Sequence, residues 1–502
     1  MFTLVLAVNA GILLLVRHRI AAGTSGDPQP PWSLHEKSGV AVLLLLATVL
    51  RIPGLDTGLW FDEIQTLVHY VRLPITQILT TFDTTNQHLL YSVLARFPVW
   101  LFGEQAWALR APAGMLGVMS IGALVMFGRR VGSTREAFLV AGLLTVSYHH
   151  VWFSQNARAY TSLLLWTLVG SALFLDLLRG EVSRAKLVAY GVVMALAMYS
   201  HITTVFTVAA HGVVWGLSSR RGTSEVRTAG VLALLLSGTL SSLAYSPVVS
   251  QLVSTLTAPS VGADIETWQQ PSWLVIEALT RLAGGLPGGW VTVVGGTLLS
   301  CVGLWSFWRR DRVATGIMVL PGLVTGATLL LSGHNLWPRF FFFSAGFAGL
   351  IAVRGAFAIL DGVRLRRAPA LATAALIAAA VGSLATVPRA WQPKQDFVRA
   401  AAVVDSLRAD DDHVVLTDLT ILPYHEWLNR SWEAVETPEA LKSIESRVGV
   451  TWVLTTFPTR LRAVYPLLAA HLDSSYDTAA VVPGTVGGGA IVILRSHGPG
   501  PL

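Results

Sequence analysis

Few of the side chains in this sequence carry a charge. Only 13% of the 502 residues are Asp, Glu, Lys or Arg, whereas soluble domains have about 25%, and 53% are hydrophobic. The mean hydropathy is +0.58. Cysteine is scarcer still, and Cys301 is the only one in the sequence. A single cysteine excludes a disulfide framework and a cysteine-based metal site, and it favours a packing role for this residue. These absences point to a membrane protein.

Apolar stretches near the length that crosses a bilayer recur along most of the chain. Phe2–Val16 is interpreted as a first span rather than a signal peptide, because the basic residues follow it. We count about twelve such stretches: Phe2–Val16, Val40–Leu50, Leu116–Phe127, Phe138–Val151, Leu163–Leu175, Leu187–Tyr199, Ile202–Leu217, Val231–Val249, Val291–Phe307, Val313–Leu331, Phe340–Leu360 and Leu371–Val387. The sequence therefore predicts an all-α polytopic membrane domain over residues 1–387.

The net charge of +7 is distributed over alternate loops, which argues against nucleic acid as a partner. Cytoplasmic loops carry an excess of Lys and Arg, so we assign the basic loops to the cytoplasm. They contain Arg17, Arg19 and Lys37; Arg129, Arg130 and Arg135; Arg179, Arg184 and Lys186; Arg220, Arg221 and Arg227; Arg309, Arg310 and Arg312; and Arg364, Arg366 and Arg367. The N-terminus, the loops 54–107 and 251–290, the turns 154–157 and 333–338 and the tail are then expected outside.

Polar and charged residues return after Pro388, which indicates a small soluble α/β domain over residues 388–502. Helical periodicity predicts helices over Phe397–Leu407 and Pro438–Val448. Short apolar runs predict strands over His413–Thr417, Thr451–Thr455 and Ala490–Arg495. Gly487–Gly489 precedes a strand instead of following one, so we do not expect a nucleotide-binding loop there.

Two adjacent carboxylates, Asp62 and Glu63, stand just outside the second span. Carboxylates at a membrane boundary are costly unless they are solvated, paired or used in chemistry. One interpretation is that Asp62 caps a helix that begins at Glu63. The other is that a carboxylate here removes the proton of an acceptor hydroxyl.

A polar run that contains Asp83, Asn86 and His88 leads directly into an apolar span. His88 is a candidate donor to a phosphate oxygen, although a single histidine at such a position is commonly structural or interfacial. Asp83 and His88 are also a weak candidate pair for a divalent metal ion, since their spacing is not a known ligand pattern. Asp83 and Asn86 are candidate acceptor-binding residues.

Three arginines lie at predicted external ends of spans, against the charge rule: Arg110, Arg158 and Arg339. A structural ion pair with Glu104, Asp62 or Glu63 would account for any one of them. Together they suit a leaving phosphate, which gains negative charge and which guanidinium groups bind bidentately. Tyr160 and His201 also lie at external ends and are candidates for the same pocket, although each alone is typical of an interface anchor.

The order of these motifs resembles the GT-C glycosyltransferases, over roughly residues 40–387. Within them the sequence looks most like the bacterial relatives of the protein O-mannosyltransferases and of the lipid A aminoarabinose transferase, which are glycosyltransferase family 39-like. The resemblance rests on Phe61-Asp62-Glu63, Asn86-Gln87-His88-Leu89-Leu90-Tyr91, Phe102-Gly103, Ala108-Leu109-Arg110-Ala111-Pro112, Ser154-Gln155-Asn156-Ala157-Arg158-Ala159-Tyr160 and Tyr199-Ser200-His201, and in the tail on Gln395-Asp396-Phe397 and Val414-Val415-Leu416.

The resemblance implies inverting transfer of a sugar from a polyprenyl-phosphate carrier to a glycolipid, polysaccharide or protein acceptor. Asp62 would be the general base or orient the acceptor, with Glu63 as its partner at the sugar. Arg110, Arg158 with Tyr160, and Arg339 match the family's arginines, and Arg339 suits the carrier phosphate. The active site would face outward from a bacterial plasma membrane.

The chain departs from the family at Gln87, where the aminoarabinose transferases place an acidic residue that can hold a metal. The resemblance therefore does not imply a definite cofactor, and a divalent metal ion stays an open candidate. Three alternatives also stay open: a flippase or transporter of a lipid-linked saccharide, a ligase that moves an oligosaccharide from a pyrophosphate carrier, and a partner subunit without activity. The external clustering of ionisable residues, without a charged midplane path, favours the transferase over the flippase.

Overall fold

The computed structural model describes residues 30–219, 222–257, 266–362 and 367–497, with positions 7 and 11 in isolation. Most of these residues are helical. The predicted first span, Phe2–Val16, lies outside the described residues except at those two positions.

The helices before the tail alternate long apolar segments with shorter helical pieces. Ser33 begins the first long one with a capping box, in which its hydroxyl accepts from the Glu36 amide and Glu36 accepts from the Ser33 amide. The α-helices are Leu34–Arg51, Phe61–Thr66, Ile75–Ile78, Leu89–Phe102, Ala106–Val131, Thr134–Thr145, Tyr148–Ser154, Tyr160–Leu178, Arg184–Ser200, Thr204–Ser218, Ser224–Tyr245, Val249–Thr257, Glu266–Gln269, Pro271–Gly285, Trp290–Arg310, Arg312–Leu331, Ala345–Gly362, Ala368–Leu384 and Val387–Ala390.

Six helical segments of the described chain are long and apolar enough to cross a membrane. A seventh is added if the pair Thr134–Thr145 and Tyr148–Ser154, bent by 64°, counts as one span. The predicted apolar stretch Phe138–Val151 covers parts of both helices and the bend between them, so its role as a span stays a prediction. The count of about twelve stays a prediction, since several further apolar helices, such as Leu89–Phe102 and Thr204–Ser218, are shorter than 18 residues.

The central helices are Ala106–Val131 and Tyr160–Leu178, most of whose residues are buried. Peripheral helices expose more of their apolar surface, and Cys301 on Trp290–Arg310 is exposed, so its predicted packing role is wrong. Glycine lets two peripheral helices touch: a methyl group on Gly303 would overlap the carbonyl of Ile351 on Ala345–Gly362. Small residues allow this kind of close approach between apolar helices.

The tail folds around a five-stranded sheet with four helices. The strands are β1 (His413–Thr417), β2 (Glu433–Val435), β3 (Thr451–Thr456), β4 (Tyr476–Val482) and β5 (Ile491–Ser496), and the helices are Phe397–Leu407, Pro438–Glu445, Pro458–Val464 and Pro466–Ser475. The spatial order is β2-β1-β3-β5-β4, with β1 parallel to β2 and β3, and β5 antiparallel to β3 and β4. The central strand β3 is buried along its whole length. A small C-terminal α/β fold, as predicted, is confirmed.

The tail shares a hydrophobic core with the segment 54–107. Phe397, Val404 and Leu416 of the tail belong to the same buried cluster as Ile64 and Tyr91. The indole of Trp391 donates to the Leu50 carbonyl at 2.9 Å. The tail therefore packs directly against the segment that carries Asp62 and Glu63.

Candidate active site

The segment with Asp62 and Glu63 forms the short helix Phe61–Thr66. Its N-cap is Trp60, whose indole donates to Asn156 Oδ1 at 3.1 Å. Asp62 thus lies in the first turn, and the interpretation of Asp62 as the cap of a helix beginning at Glu63 is wrong. Acidic residues in a first turn are stabilised by the unpaired N–H groups of the helix end. Because successive residues project from different faces of a helix, the two neighbouring carboxylates point in different directions.

Glu63 and Arg110 form a salt bridge with both side chains 0% exposed. Glu63 accepts from Arg110 Nε at 2.8 Å, from Arg110 Nη2 at 2.5 Å and from the Ala157 amide at 2.7 Å. The remaining Arg110 hydrogen bonds go to the Thr57 hydroxyl at 3.0 Å and to carbonyl groups of the segment 54–58, among them Thr57 at 2.7 Å and Gly58 at 3.0 Å. All the donors of Arg110 are engaged, so this pair organises the loop and does not face an open site.

The electrostatics of this pair depend on a third buried charge, Lys394. Burial by itself raises the pKa of Glu63, but the positive charges of Arg110 and Lys394 and the hydrogen bonds from Arg110 and Ala157 together lower it. Burial lowers the pKa of Lys394 to about 7, against the opposing effect of Glu63. Buried charges of opposite sign stabilise each other where water is excluded.

Asp62 lies between two arginines without a hydrogen bond to either. Its Oδ2 is 3.7 Å from Arg158 Nη1 and 3.9 Å from Arg339 Nη1. The side chain of Asp62 is 17% exposed, that of Arg158 5% and that of Arg339 30%. Arg158 Nε and Nη1 and Arg339 Nε are buried and have no hydrogen-bond partner among the described residues. Buried polar groups are nearly always paired, so these donors mark a place that suits an anion.

A cluster of rings borders the arginines. His88 stacks on His201 with ring centroids 4.7 Å apart, and the Tyr160 ring lies 5.7 Å from that of His201. The guanidinium of Arg158 is 6.0 Å from the Tyr160 ring centroid. The buried Tyr160 hydroxyl and His88 Nε2 also have no hydrogen-bond partner among the described residues. The cluster therefore adds polar atoms to the same buried region.

Burial affects the protonation of both histidines. Burial and the nearby arginines lower the pKa of His201 to about 3, so it is neutral, and its Nδ1 accepts from the Thr203 amide at 3.4 Å. The proton of His201 is then on Nε2, a donor. Burial, Arg158, His201 and Arg339 also lower the pKa of His88 well below its usual value. The role of His88 as a donor to a phosphate oxygen stays a prediction.

Asp83 and Asn86 lie behind Asp62. Asp83 Oδ1 accepts from the Tyr70 hydroxyl at 2.6 Å. Asn86 Nδ2 donates to the carbonyl of Asp62 at 3.3 Å. Burial and the bond to Asp83 raise the pKa of Tyr70, so its hydroxyl remains a donor. The Asn86 hydrogen bond helps to fix the Asp62 backbone. The role of Asp83 and Asn86 in acceptor binding stays a prediction.

The structure brings Asp62, His88, Arg158, Tyr160, His201 and Arg339 into one cluster, while Glu63 and Arg110 form a separate buried pair. Among the described residues, no group of three or more His, Cys, Asp or Glu side chains is placed to hold a metal ion. His88 is packed on His201 and Asp83 is bonded to Tyr70, and the weak candidate metal pair Asp83 and His88 stays a prediction.

Sequence reasoning did not identify Lys394 and Gln395 as neighbours of the site. Lys394 Nζ donates to the carbonyl of Gln155 at 2.5 Å, and Gln395 Oε1 accepts from the Phe61 amide at 3.0 Å. The available signal was the polar run Lys394-Gln395-Asp396 directly after Pro393, between an apolar helix and the tail. In the sequence this run indicates only the start of a soluble domain, and Gln395-Asp396-Phe397 contributes to the family resemblance.

No protein-family model and no curated protein sequence matches the chain. Solved structures do match in fold. ArnT from Cupriavidus metallidurans bound to undecaprenyl phosphate aligns with a TM-score of 0.53 at 14% identity, over 93% of this chain and 99% of that one. The archaeal oligosaccharyltransferase AglB from Archaeoglobus fulgidus, in complex with an inhibitory peptide and a dolichol-phosphate, aligns with a TM-score of 0.52 at 12% identity, over 94% and 76%. The chain therefore has the GT-C fold predicted from its sequence.

Proposed function

We propose that the chain is an inverting glycosyltransferase that moves a monosaccharide from a polyprenyl-phosphate carrier to an acceptor hydroxyl on the extracytoplasmic side of the membrane. The observation that carries the proposal is the position of Asp62 between Arg158 and Arg339, whose buried N–H groups lack partners among the described residues. A carboxylate beside unpaired guanidinium donors is the combination that transfer from a sugar phosphate requires.

The proposal assigns a role to each residue of the cluster. Asp62 accepts the proton of the acceptor hydroxyl as the oxygen attacks the anomeric carbon from the face opposite the phosphate. The bond from that carbon to the phosphate oxygen breaks, and its electron pair leaves with the polyprenyl phosphate. Arg158 and Arg339 bind the phosphate, which gains a negative charge in this step. The attack inverts the anomeric centre.

The rings provide the polar contacts around the sugar and phosphate. His201, with its proton on Nε2, suits a phosphate oxygen, and His88 Nε2, which is buried without a partner among the described residues, is a further polar contact for the sugar or the phosphate. The Tyr160 hydroxyl, buried beside Arg158, is a further donor. Glu63 and Arg110 act through position, because their salt bridge holds the loop 54–58 and the amide of Ala157 around the site.

The likenesses in fold support a polyprenyl-linked donor. Of the two structures described above, one is bound to undecaprenyl phosphate and the other is in complex with a dolichol-phosphate. The basic loops support an outward-facing site, since the positive-inside rule assigns residues 54–107 and the tail to the side opposite to those loops. The acceptor class, whether glycolipid, polysaccharide or protein, is left open by this proposal.

The likeness to an oligosaccharyltransferase favours one other candidate, transfer of a whole oligosaccharide from a pyrophosphate carrier. Both candidates are tested by incubating the purified protein in detergent with a panel of radiolabelled polyprenyl-phosphate sugars and one pyrophosphate-linked oligosaccharide. Consumption of a monosaccharide donor supports the proposal. Consumption of the oligosaccharide donor alone replaces it with the second candidate, and consumption of none contradicts both.

A further inference from the structure

Two buried residues of the tail contact both segments that carry the candidate site. Lys394 and Gln395, here called the strap, are 2% and 0% exposed. They precede the helix Phe397–Leu407 and lie between the segment of Asp62 and the turn that leads to Arg158. Neither residue has a role in the transfer reaction as proposed above.

Gln395 connects the Asp62 segment to the sheet. Its Oε1 accepts from the amide of Phe61, the residue before Asp62, at 3.0 Å. Its Nε2 donates to the hydroxyl of Thr456, the last residue of β3, at 3.1 Å. Since Phe61 is the first residue of its helix, its amide has no partner within that helix, and the Gln395 side chain supplies one.

Lys394 connects to the Arg158 turn. Its Nζ donates to the carbonyl of Gln155, three residues before Arg158, at 2.5 Å and lies 5.0 Å from the ring centroid of Trp152. Burial lowers the pKa of Lys394, and the carboxylate of Glu63 opposes this effect. The strap therefore contacts one side of the Asp62–Arg158 gap through Gln395 and the other through Lys394.

The glycine-rich loop 484–489 holds the strap in place. The amide of Val486 donates to the Lys394 carbonyl at 3.2 Å, and that of Thr485 donates to the Pro393 carbonyl at 3.0 Å. A methyl group on Gly484 would overlap the Lys394 carbonyl, and one on Gly489 would lie 3.2 Å from Cγ of Gln395. Glycine is thus required at 484 so that the loop can approach the strap. This accounts for a glycine-rich segment to which the sequence assigned no function.

We propose that the strap is a positioning device through which the tail sets the separation of Asp62 and Arg158. The inference rests on the proposed transferase function. Because a displacement of about 1 Å by a change away from the reacting atoms can cost on the order of 10²-fold in rate, loss of the strap should reduce turnover more than donor binding.

The test compares three substitutions in the full-length protein. Gln395→Leu removes the acceptor for the Phe61 amide. Thr456→Val removes the hydroxyl that anchors the Gln395 side chain and that also donates to the Ala490 carbonyl at 3.1 Å. Thr455→Val is the matched control, because Thr455 is a buried neighbour in β3 whose hydroxyl has no hydrogen-bond partner among the described residues. For each variant, kcat, KM for the donor and hydrogen–deuterium exchange of the peptide around Phe61 are measured.

The proposal expects faster exchange at Phe61 and a loss of about 10- to 100-fold in kcat for Gln395→Leu, with KM for the donor within about threefold of wild type. Thr456→Val should show smaller changes in the same direction, and Thr455→Val none. Unchanged exchange in Gln395→Leu, or a loss of donor binding as large as the loss of kcat, would overturn it. Failure of the wild type to transfer any sugar overturns the proposed function instead, and the exchange experiment still decides whether the strap holds Phe61.

Discussion

At the scale of single residues, the two adjacent carboxylates differ in burial and in hydrogen bonding. Glu63 is fully buried and saturated with hydrogen bonds, whereas Asp62 keeps partial exposure and no hydrogen bond to the arginines beside it. A side chain whose oxygens are all engaged cannot accept a proton from a substrate. The geometry therefore favours Asp62 over Glu63 as the base.

Asp62→Asn should nearly abolish turnover, by about 10²- to 10⁴-fold, because an amide cannot take the acceptor's proton. Binding of the polyprenyl-phosphate donor should change little, since Arg158 and Arg339 remain. The comparison is with Asp56→Asn, which alters an exposed aspartate of the same loop. Turnover of Asp62→Asn equal to that of the control would remove the assignment.

Arg339→Ala should weaken binding of a polyprenyl phosphate by about 10- to 100-fold, the usual effect of losing a hydrogen bond to a charged group. Arg339→Lys should recover only part of the affinity, because an ammonium lacks the planar pair of donors that matches a phosphate. Arg389→Ala is the control: this exposed arginine contacts only the Gly284 carbonyl among the interactions described. Equal affinity in Arg339→Ala and the control contradicts the phosphate role.

At the scale of elements, prediction succeeded where a pattern was local. The helix Phe397–Leu407 and the strand His413–Thr417 have the bounds predicted, because an apolar face with an Asp396 cap and an apolar run both lie within one stretch of sequence. The prediction of a helix over Pro438–Val448 was slightly long, since it ends at Glu445. Strands β2 and β4 were missed because they are largely exposed and lack alternation.

The candidate site shows the same division between local and distant information. Arg158 and Arg339 stood out in the sequence because charges at the ends of apolar spans are costly. The ion pair with Glu63 that the sequence offered as an explanation for one of the three arginines is present at Arg110. Sequence order did not reveal which arginine forms it or that Lys394 reaches Gln155, since these contacts join segments 47 and 239 residues apart. Burial of a charge depends on the whole fold, so it could not be derived from neighbours in sequence.

The buried pair of Glu63 and Arg110 should dominate the stability of the loop 54–58. Glu63→Gln leaves Arg110 buried without its counter-charge, which typically costs about 3–5 kcal/mol. The double substitution Glu63→Gln with Arg110→Met should destabilise less than the sum of the two single ones, because no unpaired charge remains. Thermal unfolding in detergent measures all three variants. Additive effects would indicate that the two side chains are not coupled.

At the scale of the whole molecule, the tail and the membrane part are joined through buried polar contacts as well as through a shared apolar core. Lys394 is the titratable residue among these contacts. Its buried environment should make the folding stability sensitive to pH. Burial, the largest effect, lowers its pKa to about 7, Glu63 opposes this and Arg110 adds to it. In the unfolded chain a lysine titrates near 10.5.

Between about pH 7 and 10.5 the unfolded chain therefore holds a proton that the folded chain has lost, so folding stability should rise with pH over this range. Lys394→Met removes the titrating group, and the stability of the wild type relative to this variant should increase by up to about 1.4 kcal/mol per pH unit above pH 7 and level off below it. Melting temperatures of both proteins in detergent from pH 6 to 9 measure the difference. Lys442→Met, at an exposed lysine of the helix Pro438–Glu445, is the control and should show no such trend. If the difference in melting temperature between wild type and Lys394→Met stays constant from pH 6 to 9, Lys394 keeps its proton in the folded protein.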